Sequence, residues 1–302
     1  MPFRYSIPLS LFFLVTPLIQ AAPLDELDRG HRLLIEKGLQ LQALVLDGAS
    51  FDTTIWRDSH FTTVNFWATP EVSALGNAPG IPWARWFGGG EVSSDVDLSA
   101  AESAYAGNLI SMQAGDEQDL SNPAVRQKTI DTFNYWRTAY PGQIHMLSQM
   151  LKKLNTLPNY LDAIQPDLIA GGSYRMNNAE PMIGEPIRRG GSPQKMYKEM
   201  LALRSLCLGG HAGSNHKPIP YGIYTQSFYQ TDDDDYQLVL SESQMRLQRM
   251  AAWAVGCTWI CSFIYNNAMN AENNLLPIFF GLNGDWNTPS DRFYQIRQLN
   301  YE

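Results

Sequence analysis

Basic residues, cysteine and histidine are all scarce in this sequence, and each scarcity removes a class of function. Across 302 residues, 22 Lys and Arg stand against 30 Asp and Glu, a formal net charge of -8. A nucleic-acid partner calls for a basic face, so none is expected. The three cysteines are Cys207, Cys257 and Cys261; the last two lie four residues apart in one expected strand, roughly 13 Å at the extended rise, too far to bridge. The five histidines (His31, His60, His145, His211 and His216) are scattered and fit no zinc spacing, so no metal is expected. No Gly-x-Gly-x-x-Gly occurs, which removes the dinucleotide fingerprint, and no cofactor is expected. The absence of Gly-x-Ser-x-Gly argues against a serine acyl hydrolase. Beyond residue 22 no apolar run approaches the length of a membrane span.

What the sequence does contain begins with a leader. Arg4 gives a positive start, residues 7–18 an apolar stretch, and Gln20, Ala21 and Ala22 a small-residue cleavage zone. Residues 1–22 are therefore expected to be a secretory signal, leaving a secreted or periplasmic chain with no membrane segment after its removal. Aromatic residues make up 12% of the whole, including eight Trp. That is ample either for a filled core or for stacking on flat ligands.

Eight strand patterns follow, at 39–46, 61–67, 83–87, 109–119, 144–150, 168–174, 219–228 and 258–265. Helical patterns at 24–37, 71–75, 99–106, 123–140, 157–164, 193–208, 241–254 and 291–299 separate nearly all of them. Such alternation implies parallel strands with right-handed crossovers, and eight units are what a closed barrel requires. The expected fold is an α/β, (β/α)₈ TIM barrel, a single domain over 23–302, with no linker or repeat to divide it. An open doubly wound sheet is the competing architecture.

The stretch 109–119 organises the rest. Leu-Ile-Ser-Met-Gln-Ala runs into Gly115, Asp116 and Glu117, which puts two acids at a strand end, where barrel enzymes keep their acids. With Glu117 pointing in, a period of two places Ser111, Gln113 and Gly115 inside and turns Asp116 away. An acidic loop that caps the next helix is the alternative. The other strand ends contribute Asp47, Trp67, Trp86, Gln149, Tyr174, Arg175, Gln226, Phe228, Tyr265 and Asn266, and Asn65 shares the inner face of its strand with Trp67. Acids, amides and flat rings are the materials of a carbohydrate site, although Trp67 and Trp86 also suit a barrel plug and Tyr265 a core position. The acidic run 232–235 lacks the alternate spacing and turn glycine of a calcium loop and reads as a solvated segment.

Several segments together resemble secreted bacterial glycoside-hydrolase-like TIM barrels, distantly related to the β-galactosidase and cellulase clan. They are Gly-Asp-Glu at 115–117, Tyr-Trp-Arg at 135–137, Gln-Pro-Asp at 165–167, Gln226, Ser-Glu-Ser-Gln-Met-Arg at 241–246 and Cys-Ser-Phe-Ile-Tyr-Asn at 261–266. The resemblance spans 38–267 and implies a carbohydrate substrate with Glu117 as general acid/base. In that clan a Glu after the seventh strand is the nucleophile; here the neighbourhood reads Tyr-Thr-Gln-Ser-Phe, and Gln226 cannot attack an anomeric carbon. Glycoside hydrolysis ordinarily uses two carboxyl groups, about 5 to 5.5 Å apart for retention and about 6.5 to 9.5 Å for inversion. Asp116, Asp47, Glu71, Glu185 and Glu272 are the candidates for the second. A glycan-binding barrel that has lost hydrolysis is the alternative function. The leader has its own check: N-terminal sequencing of the exported protein is expected to start just after Ala22, and a chain lacking residues 1–22 is expected to stay in the cytoplasm.

Overall fold

Polar and apolar side chains alternate along the expected strands, and in the computed structural model that alternation closes on itself. The structure describes residues 24–67, 72–77, 79–88, 96–149, 151–174, 192–230, 240–266, 275–280 and 288–302. The expected leader, Glu71, Arg175, Glu185, Glu272 and the run 232–235 lie outside these. In chain order the elements are α1 (Arg29–Lys37), β1 (Gln40–Val45), α2 (Thr53–Asp58), β2 (Thr63–Phe66), α3 (Val72–Asn77), β3 (Trp83–Phe87), α4 (Ala100–Ser103) and β4 (Leu109–Ala114). They continue with α5 (Pro123–Ala139), β5 (Ile144–Ser148), α6 (Pro158–Ile164), β6 (Leu168–Gly172), α7 (Pro193–Leu208), β7 (Tyr221–Gln226) and β8 (Phe228–Gln230). The last are α8 (Glu242–Ala254), β9 (Trp259–Asn266), β10 (Leu275–Pro277) and α9 (Asp291–Tyr301). Strands β1 to β7 lie side by side in chain order, all parallel, and β9 closes the ring by pairing with both β7 and β1. This is the expected (β/α)₈ barrel.

Two apolar layers result from the period of two. Outward residues such as Val45, Val64, Phe66, Met112, Leu147, Ile169, Ile223 and Ile260 pack beneath the helices, where Phe133, Trp136, Leu203 and Phe293 meet them. Inward residues Leu44, Trp86, Met146, Leu168, Ala170, Tyr224, Trp259 and Cys261 fill the barrel. On β4 the small and polar Ser111 and Gln113 face in, and the Tyr224 hydroxyl on the far wall donates to the Gln113 side-chain oxygen. A barrel filled in this way is a packed core, and its chemistry is confined to the rim.

The opposite end is sealed by α1. Leu33 and Leu34 join the interior cluster beside Ile144, Leu168 and Trp259, the first residues of β5, β6 and β9. Gly30 permits the close approach, because a Cβ there would lie 2.1 Å from the Asp167 backbone oxygen. Beside it, the Arg29 guanidinium bonds the Asp167 carboxylate and also donates to the Pro141 and Gln143 carbonyls at 2.8 and 3.0 Å. The same carboxylate accepts the His145 backbone N–H at 2.8 Å. His145 itself stays neutral, since burial and the Arg29 charge push it down to about 3. A second buried pair, Arg85 Nε to Glu102 Oε1 at 2.7 Å, ties β3 to α4, whose capping box uses the same Glu102 with Ser99.

The departures from expectation are local. Helix α2 stands between β1 and β2, where no helical pattern is expected; six residues are too few to display a helical period, and only the Asp52 cap marks its start. The expected helix 99–106 is reduced to one turn, α4, followed by a short 3-10 turn. The expected strand 219–228 is interrupted at Ser227, after which β8 leaves the barrel to pair antiparallel with β10. Removing one partner of a buried ion pair strands the other charge. Arg29→Met is therefore expected to lower the unfolding free energy by about 3 kcal/mol, measured by urea denaturation, with barrel secondary structure retained in circular dichroism.

Candidate functional site

The rim at the C-terminal ends of the strands gathers the polar chemistry, with β4 at its centre. The strand ends where Gly115 turns to φ 58° and Glu117 to φ 46°, both in the left-handed region. Two such residues break the alternation, which corrects the expectation that Asp116 points away from the barrel. Asp116 Oδ1 instead accepts the Ser148 hydroxyl from the end of β5 at 3.2 Å. Its carboxyl is pushed up to about 7, first by burial and then by the Glu117 charge, with the Ser148 hydrogen bond opposing. Glu117 lies beside it, partly exposed. A non-glycine residue at positive φ carries strain on the order of 1 kcal/mol, and such strain is commonly held at functional sites.

Asp116 and Glu117 act together on the aromatic wall. The Tyr174 hydroxyl is pushed well above the usual range by burial, then by the charges of Asp116, Cys261 and Glu117. Tyr224 is raised likewise by burial, with Cys261 and Asp116 adding to it. Around these groups the rings form an arc. Trp67 meets Trp86 with centroids 4.3 Å apart, Trp86 meets Tyr224 at 5.8 Å, and Tyr224 meets Phe263 at 6.4 Å. Tyr174 closes the arc against Phe263 and Phe228 at 5.4 and 5.3 Å. Trp67, Tyr174 and Phe263 keep exposed surface, whereas Trp86, Tyr224 and Phe228 are buried beneath them as a floor.

The other expected site residues divide by position. Asn65 is inward but deep in the barrel, beside the buried Cys261 thiol. Gln226 is buried; its amide nitrogen bonds the Phe228 carbonyl at 3.3 Å, and Gln248 of α8 holds its backbone through N–H and carbonyl. Asn266 spans the closing seam, donating to the Asp47 carbonyl at 2.8 Å and accepting the Asp47 N–H at 3.3 Å. Asp47 in turn spends its carboxylate on Ser50 and the Ala49 N–H. Tyr265 is not brought to the rim. The pairing of β1 with β9 jumps from Ala43–Ser262 to Val45–Asn266, and within that irregular stretch Tyr265 turns outward into a cluster with Phe51, Trp56, Phe61 and Phe280.

Ser148, Tyr224 and Phe263 were missed. Tyr224 is two residues before Gln226, so the period of two was the signal for it; Phe263 stands in the same relation to Tyr265. Nothing local distinguishes Ser148. Among the described residues no three His, Cys, Asp or Glu side chains come together to hold a metal ion. The rim thus offers two adjacent carboxylates, one with its pKa near neutrality, facing a hydroxyl-bearing aromatic wall. That arrangement can pass a proton to or from a bound oxygen.

No protein-family model matches the sequence, and no curated protein does. Solved structures do. A GH2 beta-galacturonidase from Eisenbergiella tayi bound to galacturonate superposes with a TM-score of 0.57 at 9% identity, over 87% of this chain and 51% of that one. Beta-glucuronidase 2 of Bacteroides uniformis, covalently bound to cyclophellitol-6-carboxylate aziridine, gives 0.54 at 8% identity, over 85% and 34%. The beta-glucuronidase of Parabacteroides merdae gives 0.53 at 9% identity, over 87% and 39%. The chain spans about half or less of the length of these proteins. At such identities the likeness is one of fold: the chain has the TIM-barrel fold that recurs in these glycosidase structures.

Proposed function

We propose that this chain is an exported glycoside hydrolase acting on a poly- or oligosaccharide. The observation that carries the reading is the Asp116 carboxyl, held near neutrality at the end of β4 beside Glu117. The Glu117 charge helps to raise the Asp116 carboxyl, so the ionisation of one bears on the other. At neutral pH the pair holds a proton in reserve. Glu117, the residue the resemblance implies as general acid/base, passes it to the leaving oxygen as general acid. Asp116 supports it from the Ser148 side. The exposed rings of Trp67 and Tyr174 hold the C–H faces of the sugar, and the fold shared with glycosidases supports the same reading.

The test is hydrolysis of a broad panel of plant, algal and bacterial polysaccharides by the mature protein. Glu117→Gln keeps the shape and removes the proton, and is expected to lower kcat by about 10²- to 10⁴-fold. Asp116→Asn removes the carboxyl held up at about 7, and the limb of the kcat/KM profile near that pH is expected to disappear. Stability gives an independent check. Because the folded-state pKa of Asp116 is raised, its contribution is present below the ordinary Asp range and is lost as pH rises to about 7. Asp116→Asn is therefore expected to flatten the fall in urea midpoint between pH 4 and pH 7. A wild-type protein that cleaves nothing on the panel overturns the hydrolase reading.

A further inference from the structure

A cavity of about 230 Å³ is lined by Gln118, which follows Glu117, and by Gln149, which follows the Asp116 partner Ser148. Both glutamines are buried. Gln149 Nε2 donates to the Gln118 carbonyl at 3.0 Å, so the wall shared with the rim is fixed. Leu120, Leu157 and the ring of Tyr160 make the apolar part of the cavity, and the Arg126 guanidinium lies 5.2 Å from the Tyr160 centroid. Asp119 and Lys153 also line it. Asp119 is held ionised below the usual carboxylate range, first by the Ser121 hydroxyl, with Lys153 adding to it. Asp119 Oδ1 accepts the Ser121 hydroxyl at 2.6 Å, and among the described residues no ion pair within 4 Å joins Lys153 to a carboxylate, so the Lys153 charge acts on Asp119 without bonding it.

We propose that this cavity is a saccharide subsite, receiving the pyranose unit next to the one at the carboxylate pair. It rests on the glycoside-hydrolase reading for its neighbour but not for its own chemistry. A pyranose ring has an apolar face of C–H groups and a rim of hydroxyls, each of which both donates and accepts. The apolar part meets the first. The Asp119 carboxylate and the Lys153 ammonium in the lining meet the ring's hydroxyls, one donating to Asp119 and one accepting from Lys153. The volume is at the small end for ligand pockets, which suits one sugar ring rather than a drug-sized ligand. Occupation of this subsite needs at least two linked units, which makes mono-sugar glycosides poor substrates.

The experiment measures binding of cellotetraose, xylotetraose and tetragalacturonate, with the matching monosaccharides, to the full mature protein carrying Glu117→Gln so that nothing is turned over. Lys153→Ala removes the donor, and Thr156→Trp, at an exposed position on the cavity wall, fills the space. At least one tetrasaccharide is expected to bind more tightly than its monosaccharide, and each variant to weaken that binding about tenfold while leaving the monosaccharide unaffected. Failure to bind any of the three, or equal tetrasaccharide binding in all variants, overturns the subsite. Length-dependent binding lost in both variants, from a wild-type protein that hydrolyses nothing, sustains the subsite and sinks the hydrolase reading. Hydrolysis with unchanged chain-length dependence in Lys153→Ala does the reverse.

Discussion

Closure of eight parallel strands is the constraint from which the rest follows. Once β9 pairs with β1, the barrel sheet has no edge and only alternate residues of its strands reach the interior. Those positions must be filled, and here they are filled by a mixture of aliphatic, aromatic and amide side chains, braced across the barrel by Tyr224 and Gln113. The filled interior leaves chemistry only at its two ends. One end is plugged by α1 and stitched by Arg29; the other carries Asp116, Glu117 and the exposed rings. Stability and chemistry are therefore separated along the barrel axis, the usual division of labour in this fold.

The architecture was legible because its signals are long and repeated. Strand patterns such as 83–87 and helices such as 193–208 coincide with β3 and α7, and their regular alternation is what identifies a barrel. The parts that were not legible are short or depend on distant partners. Six residues of α2 carry no period. The departure of β8 from the end of β7 depends on β10, some fifty residues later, and no local feature of Phe228, Tyr229 or Gln230 announces it.

The site was legible in composition and less so in direction. Knowing that Asp116 and Glu117 end β4 required only the strand pattern, but knowing that both serve the rim required the φ values of Gly115 and Glu117. A period of two is a property of extended backbone and ends where the backbone leaves that region. Tyr265 teaches the same point from the other side: it lies in a strand, yet in the stretch where the register with β1 slips, and its ring joins the outer core. Asn266 and Asp47 were rightly placed at strand ends, but the ends of the first and last barrel strands meet, and these residues are occupied with each other.

That meeting point also governs the order in which the chain can become a protein. The Asn266–Asp47 hydrogen bonds join residues 219 apart in the sequence, and every backbone bond along the same seam is of comparable span. A chain emerging from its N-terminus carries β1 with one side unpaired until residues 259–266 exist. The loop that must close is nearly the whole barrel, so the seam forms late and the intermediates before it expose a strand edge. The vulnerable period of this molecule is therefore its folding rather than its working life, while the edge of β1 is still unpaired.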